Sequence, residues 1–286
     1  MKRLIPVLAA LLSCALLCAC GTAAPLVTAD PYAGMVQVES GYGMKMWVNK
    51  LEDVPVNDLT PEDFSAAGRY VGEAYTVTRG ADVSEHQGQI DWSAAAQDLD
   101  FAIVRVGYRG YGLSGVLKYD AWAEENLRGA LENRLDLGVY FFSQATNEEE
   151  AVEEAEFLLA LLDDYGPEKI TLPVFYDWED IAHDDARTDG MDGETVTRCA
   201  LAFCRRIEEA GYRAGLYAYR YLGYFSYDLS ALKEYALWIG AIGSYPDFYY
   251  AHEFWQYSAA GSIHGISGEV DLDLRFVANI SESDES

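Results

Sequence analysis

The sequence predicts one α/β barrel of irregular, TIM-like build, with its later helices short or missing. Three observations carry that expectation. Eight short apolar segments rich in β-branched and aromatic residues read as strands covered on both faces, the pattern of a parallel sheet. Helical stretches alternate with these segments in the first half of the chain, which is how an α/β fold announces itself. The chain has 286 residues and is 50% hydrophobic, and one barrel of this class takes roughly 200–250 residues.

The elements follow in order. Lys2 and Arg3 precede an apolar run at 4–17, which is shorter than the ~20 residues needed to cross a bilayer. The run ends in Leu17-Cys18-Ala19-Cys20-Gly21. That spacing resembles a bacterial lipobox, so residues 1–20 are expected to be a lipoprotein signal peptide and Cys20 the lipidated cysteine. An ordinary signal peptide that contains cysteines is the alternative, which the Leu-x-Ala-Cys spacing disfavours. The mature chain is then expected outside the cytoplasm, held to the membrane by its N-terminal lipid. Residues 21–78 read as a tether plus a small extension packed on the main domain. Within it MVQVESGYGMKMWV alternates weakly, as a hairpin would, and EDVPVNDLTPEDFSAAG is turn-rich and acidic.

The barrel is assigned to residues 79–277. Its strands are GADVS (80–84), FAIVRVG (101–107), DLGVYFFS (136–143), TLPVFYD (171–177), RAGLYAY (213–219), YALWIGA (235–241), FWQYS (254–258) and EVDLDLRF (269–276). The clearest helix, NEEEAVEEAEFLLALLDDYG, has Asn147 as cap, Glu148 to Glu150 at its positive end and Gly166 as terminator. Residues 278–286, ending in SESDES, are expected to be disordered.

Several function classes are disfavoured by composition. A formal charge of -27 opposes nucleic-acid binding and attraction to anionic lipid, both of which need clustered Lys and Arg. Cys199 and Cys204 lie five apart on a helical pattern, about 7.5 Å of rise, too far for a disulfide, so both are expected free and buried. His86, His183, His252 and His264 show no metal-ligand spacing, and a site without metal or cofactor is expected. RGYGLSG (109–115) is Gly-rich but lacks the strand-to-helix setting of a phosphate cradle, and reads as a loop.

The chemistry is concentrated in TLPVFYDWEDI, where an apolar strand ends in three acids around a tryptophan. Strand alternation points Asp177 and Glu179 to one side and Trp178 to the other. Two acids side by side repel, which raises one pKa and permits a division between acid and base. A capped strand whose acids meet water would look the same in isolation. In barrels, however, catalytic groups sit at the C-terminal ends of strands. Asp82 ends the first strand, Asp177 and Glu179 the fourth, and Asp271 lies in the last, so the four acids are expected to converge on one mouth. Two residues of strand separate Asp177 from Glu179 by about 6.6 Å at Cα, which leaves retaining and inverting geometries both open.

ADVSEHQGQIDW, FYDWED, GLYAYRYLGY and FWQYSAAGSIHGISGEVDLDLRF together resemble glycoside hydrolase family 25, the Chalaropsis or cellosyl type of lysozyme. The likeness runs from about Arg79 to Phe276 with its motifs in family order. It implies cleavage of peptidoglycan between N-acetylmuramic acid and N-acetylglucosamine, and so a glycan strand as partner in the cell wall. Carried over, Glu179 matches the general acid and Asp177 the partner that orients substrate or stabilises positive charge. Asp82 and Asp271 match two further acids of the groove. Tyr140, Tyr217, Tyr245 and Trp255 are candidate sugar contacts, although alternation sends Trp255 and Tyr257 to one side and packing is the favoured reading for both. His86, within the first motif, is a weaker candidate for the groove's edge, and ARTDGMDGET (186–195) for its wall.

Two departures stand out. The family ends Val-Asp-Leu-Asn, whereas this chain has Val270-Asp271-Leu272-Asp273, a charge in place of an amide donor. The family also has Trp-x-Ala-x-Tyr after the sixth strand; here Ile242 takes the tyrosine position, and Tyr245 is the nearby substitute. A substrate with a 2-acetamido group adds a third route, in which that group attacks the anomeric carbon. Two competing readings remain: a lipid-anchored glycan-binding protein without turnover, which would have no need of the four acids, and a hydrolase of another N-acetylglucosamine polymer.

Overall fold

The computed structural model describes residues 30–41, 43–65 and 68–279. The expected signal segment with Cys20, the start of the expected tether and the tail from 280 lie outside the described residues. The chain divides into two compact units, Met1–Ala33 and Gly34–Ser286. Of the first, residues 30–33 are described and form a turn. Everything below belongs to the second.

The second unit opens with an antiparallel hairpin of β1 (Met35–Glu39) and β2 (Lys45–Asn49), paired from Met35–Asn49 to Glu39–Lys45. The strands that follow are β3 (Tyr75–Val83), β4 (Phe101–Arg109), β5 (Leu117–Tyr119), β6 (Asp136–Ser143), β7 (Val174–Trp178), β8 (Ala214–Tyr219), β9 (Ala236–Gly240), β10 (Phe254–Gly261) and β11 (Val270–Ala278). Hydrogen bonds run in the order β3-β4-β6-β7-β8-β9-β10-β11, and β11 returns to β3, closing an eight-stranded barrel. β5 hangs on β4 as a short antiparallel hairpin arm that the sequence reading did not include.

The barrel is irregular, as expected, but the parallel TIM-like expectation fails at its last strand. β11 runs antiparallel to both β10 and β3. Only eight residues separate Gly261 from Val270, enough for a hairpin, whereas a parallel return needs a crossover of roughly a dozen or more. The helices are also incomplete. α2 (Ala123–Glu132), α3 (Glu148–Leu162) and α4 (Gly193–Glu209) are full length, while α1 (Trp92–Ala95), α5 (Arg220–Phe225) and α6 (Leu229–Leu232) are one or two turns. β9, β10 and β11 are joined without helices. This is a closed β-barrel with a few helices, not a TIM barrel.

Local signals explain the longer helices. Asn147 caps α3 by accepting from Glu150 N at 3.0 Å, and Gly166 beyond its end has φ +76. Asp192 caps α4 through Thr195 N at 2.7 Å. Cys199 and Cys204 on α4 are free and buried.

Strand alternation produces two packed layers. Ala102, Val104, Val106, Val139, Tyr176 and Trp178 face outwards into the main core under the helices. Phe101, Ile103, Phe175 and Phe254 face inwards, with Phe254 edge-on to Phe101 at 5.8 Å and to Phe175 at 5.3 Å between centroids. These rings fill the barrel floor, and Gly80 makes room: a Cβ there would stand 2.2 Å from the Phe101 ring. Residues 34–74 pack on the barrel wall, where Asn57 donates to the carbonyls of Pro246 and Phe248 and Phe64 stands edge-on to Trp255 at 5.6 Å.

Candidate active site

Above the aromatic floor the inward positions become polar. They are Asp82 on β3, Arg105 on β4, Tyr140 on β6, Asp177 on β7, Tyr217 on β8, Trp238 on β9, Gln256 on β10, and Asp271 and Asp273 on β11. Glu179 follows β7 directly. In the seven parallel strands Asp82 and Asp177 lie at the C-terminal end and the others nearer the middle. In antiparallel β11 the same end of the barrel is reached at the start of the strand, and Asp271 pairs in register with Asp82. The four predicted acids therefore share one mouth.

They sit at different depths. Glu179 and Asp271 are partly exposed, Asp82 and Asp177 are buried, and Asp273 beneath them is fully buried. Such crowding raises carboxyl pKa values, because burial penalises the charged form and neighbouring charge adds to the penalty. Burial, with the Asp271 and Asp180 charges, pushes Glu179 up to about 7 even though a hydrogen bond with Asp177 pulls the other way. Burial and the Glu179 charge raise Asp177 well above the ordinary carboxylate range, opposed by the Arg105 guanidinium. Burial raises Asp271 as well.

Arg105 is the buried cation of the mouth. Its Nε donates to Asp120 at 2.8 Å and its Nη2 to Glu85 at 3.2 Å. A second buried network holds the strand that carries the acids. Gln144 donates Nε2 to the carbonyl of Glu179 at 2.9 Å and accepts from Thr188 Oγ1 at 2.8 Å. The Gln144 backbone N–H in turn donates to Glu154, a fully buried acid that also accepts from Arg109 Nε at 2.7 Å. Thr188 belongs to the loop foreseen as a groove wall, and the loop is fastened at the back of Glu179.

The predicted sugar contacts divide. Tyr140 and Tyr217 point into the barrel and are buried; the Tyr217 hydroxyl donates to Gln256 Oε1 at 2.9 Å. Tyr245 lies half-buried on the β9–β10 loop, packed on the outer core. Trp255 is corrected from sugar contact to core: its side faces away from the barrel, it is 0% exposed, and its Nε1 donates to the Ala241 carbonyl at 2.7 Å. His86 is exposed on a short 3-10 turn, Glu85–Gln87, just past β3.

Sequence reasoning missed Arg105, Gln144, Trp238 and Gln256. For Arg105 and Gln256 a signal was present, since each is a lone polar side chain in an apolar strand at an inward position. Gln144 and Trp238 had none, because their partners come from distant strands and loops.

The low end of the barrel offers a contrasting cleft. It holds about 590 Å³ and is lined by Val54, Arg213, Leu216, His252, Glu253 and Arg275 among others. Its charges pair with one another, Arg213 and Arg275 both with Glu253. The contacting pair of Asp177 and Glu179 lies at the opposite end, in the mouth.

The family model for glycosyl hydrolases family 25 matches residues 81–266. No curated protein matches the sequence. Among solved structures, the modular autolysin LytC of Streptococcus pneumoniae, in complex with a synthetic peptidoglycan ligand, is 26% identical with a TM-score of 0.60 over 84% of this chain and 56% of its own. The spore cortex lytic enzyme SleM of Clostridium perfringens is 22% identical, TM-score 0.58, over 73% of this chain and 69% of its own. A family 25 glycosyl hydrolase from Bacillus anthracis is 22% identical, TM-score 0.57, over 77% and 96%. The chain thus spans little more than half of LytC, and the other two likenesses establish the shared fold. The matched segment contains β4 to β10, the end of β3 and the acids Asp82, Asp177 and Glu179, and on it this chain belongs to glycosyl hydrolases family 25.

Proposed function

We propose that this protein is a muramidase that cleaves the β-1,4 bond between N-acetylmuramic acid and N-acetylglucosamine in peptidoglycan. The observation that carries the reading is the contact between Asp177 and Glu179 at the barrel mouth, where two carboxyls meet side by side next to Arg105. Glu179, partly exposed and raised to about 7, keeps its proton in a large share of molecules near neutral pH and donates it to the departing glycosidic oxygen. Arg105 opposes the rise of Asp177, and the mechanism requires the proton of the pair to stand on Glu179 when substrate is bound.

Asp177 then faces the anomeric carbon as an anion. Carboxyls in mutual contact are closer than the roughly 5–5.5 Å of retaining or 6.5–9.5 Å of inverting glycosidases. That closeness favours the route in which the 2-acetamido group attacks the anomeric carbon and Asp177 steadies its nitrogen. The glycosidic C–O bond breaks, the Glu179 proton goes to the leaving oxygen, and water later opens the cyclic intermediate with Glu179 accepting its proton. Asp82 and Asp271 extend the acidic wall; Tyr140 and Tyr217 back it from inside the barrel.

The substrate class rests on the family and on LytC, whose structure was determined with a peptidoglycan ligand. The reading places the mature chain outside the cytoplasm, tethered by Cys20 and facing the wall. Incubating the purified protein with cell walls and identifying the new reducing ends tests it. Muramic acid ends support it; N-acetylglucosamine ends, or binding without new ends, reject it.

A further inference from the structure

Beneath the reactive pair lies a second pair of acids. Asp273 is fully buried, at 0% exposure, and Asp82 is nearly so at 6%. Asp273 Oδ1 accepts from Trp238 Nε1 at 2.8 Å, while its Oδ2 meets no donor. Asp82 Oδ2 accepts from Gln256 Nε2 at 2.8 Å, and Gln256 is itself fixed by the Tyr217 hydroxyl at 2.9 Å. On the antiparallel ladder Asp82 pairs with Asp271 and Asp273 with Gly80, so Asp82 and Asp273 are diagonal neighbours on the inward face and their carboxyls meet. Asp273 also draws on the Asp82 backbone N–H, and what joins the two side chains is an oxygen facing an oxygen. The buried cation of the mouth does not serve them, since Arg105 is engaged by Asp120 and Glu85.

Two buried carboxylates in contact without a cation cannot both stay charged. A proton between them turns the repulsive contact into a hydrogen bond of the charge-assisted kind. On this geometry we infer that Asp82 and Asp273 share a proton and that Asp273 is a positioning residue: through that proton it orients Asp82 in the mouth, the task an amide donor would perform at the same place. The functional part of this inference rests on the muramidase reading; the proton sharing does not.

The groups facing the pair are few. Asp271 lies on the same strand, Tyr217 on β8, and Trp238 and Gln256 on β9 and β10; Tyr140 on β6 approaches from the Asp82 side. Asp271 is the only carboxyl among them, and its charge raises both members of the pair. Burial and Asp271 hold Asp273 at about 8 against an ordinary 3.8, with Trp238 opposing. A group whose folded value lies above its unfolded value lends stability in full only below the unfolded one. That stability is lost as pH rises towards the folded value.

Asp273→Asn tests the inference, because the amide is isosteric, still accepts from Trp238 and donates to Asp82 without a titrating proton. Folding stability of the full chain is measured by denaturant titration from acid to alkaline pH. The expected result is a variant that gains on wild type progressively between about pH 4 and pH 8, with the gain level above. Curves that run parallel overturn the proton sharing. Initial rates on one wall preparation give the second readout. Asp273→Asn is expected within a few-fold of wild type at neutral pH, and its alkaline limb falls with the loss of one proton where wild type loses two. Asp273→Leu, with no donor for Asp82, is expected to lose at least tenfold in kcat while circular dichroism shows it folded. A folded Asp273→Asn that is inactive at every pH, or an active Asp273→Leu, overturns the positioning role. Should wild type itself not cleave walls, the muramidase reading fails and the stability curves alone decide the pair.

Discussion

Asp271 stands directly opposite Asp82 on the antiparallel ladder of β11 and β3, so the closing pair of strands brings the last acid of the barrel against the first. The reversal of β11 is what makes this possible. Run parallel, the strand would carry Asp271, its second residue, to the barrel floor among the phenylalanines. Topology and acid placement are therefore one fact, and the mouth's electrostatics follow from it. Five acids gather from three strands, β3, β7 and β11, and the result is a set of carboxyls raised by burial and by one another.

Glu179→Gln is expected to remove turnover while leaving the fold intact. The amide keeps the shape but has no proton to give the leaving oxygen, a loss of at least roughly 10²-fold. The measurement is release of reducing ends from walls, with circular dichroism as the folding control. Activity within a few-fold of wild type would show that another group is the acid.

How much of this was legible in the sequence depends on what each feature obeys. The strand DLGVYFFS coincides with β6, and the others fall within a few residues, because apolar runs and alternation are local properties. The convergence of Asp82, Asp177, Glu179 and Asp271 was legible from their positions at strand ends. The direction of β11 was also within reach, since an eight-residue link cannot make a parallel crossover, but a uniform parallel pattern was carried one strand too far. The Gln144–Glu154–Arg109 and Trp238–Asp273–Asp82 networks were not legible. Each joins residues from separate strands whose side chains meet only once the barrel is closed, and no spacing in the chain encodes that meeting.

Trp255→Ala separates packing from sugar contact. The indole is fully buried against Phe64 and donates to Ala241, so its removal leaves a cavity and an unpaired carbonyl. A loss of about 3–5 kcal/mol of stability is expected, read by urea titration. KM on soluble peptidoglycan fragments, measured where the variant is still folded, is expected to match wild type. A raised KM with unchanged stability would return Trp255 to the groove.

Cys20→Ser addresses the anchor. The apolar run near the start of the sequence ends in Leu17-Cys18-Ala19-Cys20, and stable anchoring takes at least two acyl chains. Expressed in a bacterial host, wild type is expected in the membrane fraction and the variant in the soluble one, with the activity on walls per molecule unchanged. Wild type found wholly soluble after leader cleavage would reject lipidation.

Asp177→Asn tests the division of labour between the two acids that meet at the mouth. In wild type the pair holds one proton between two carboxyls, and burial together with the Glu179 charge raises Asp177 while Glu179 stands at about 7. The values belong to the pair, so the direction is what the experiment reads. With Asp177 ionised and the proton on Glu179, as the mechanism requires, an amide at 177 removes a negative charge from beside Glu179 and supplies an N–H that donates to its carboxylate. Both effects favour the ionised form, and the Glu179 pKa falls. The general acid must be protonated to act, so activity is lost at lower pH than in wild type: the alkaline limb of the pH–rate profile moves down. The maximum also drops, because the developing positive charge loses its anion. Rates of the two proteins on one wall preparation, followed from acid to alkaline pH, measure both changes. A lower maximum with an unmoved alkaline limb would mean that Asp177 acts on the substrate alone and leaves the proton of Glu179 untouched.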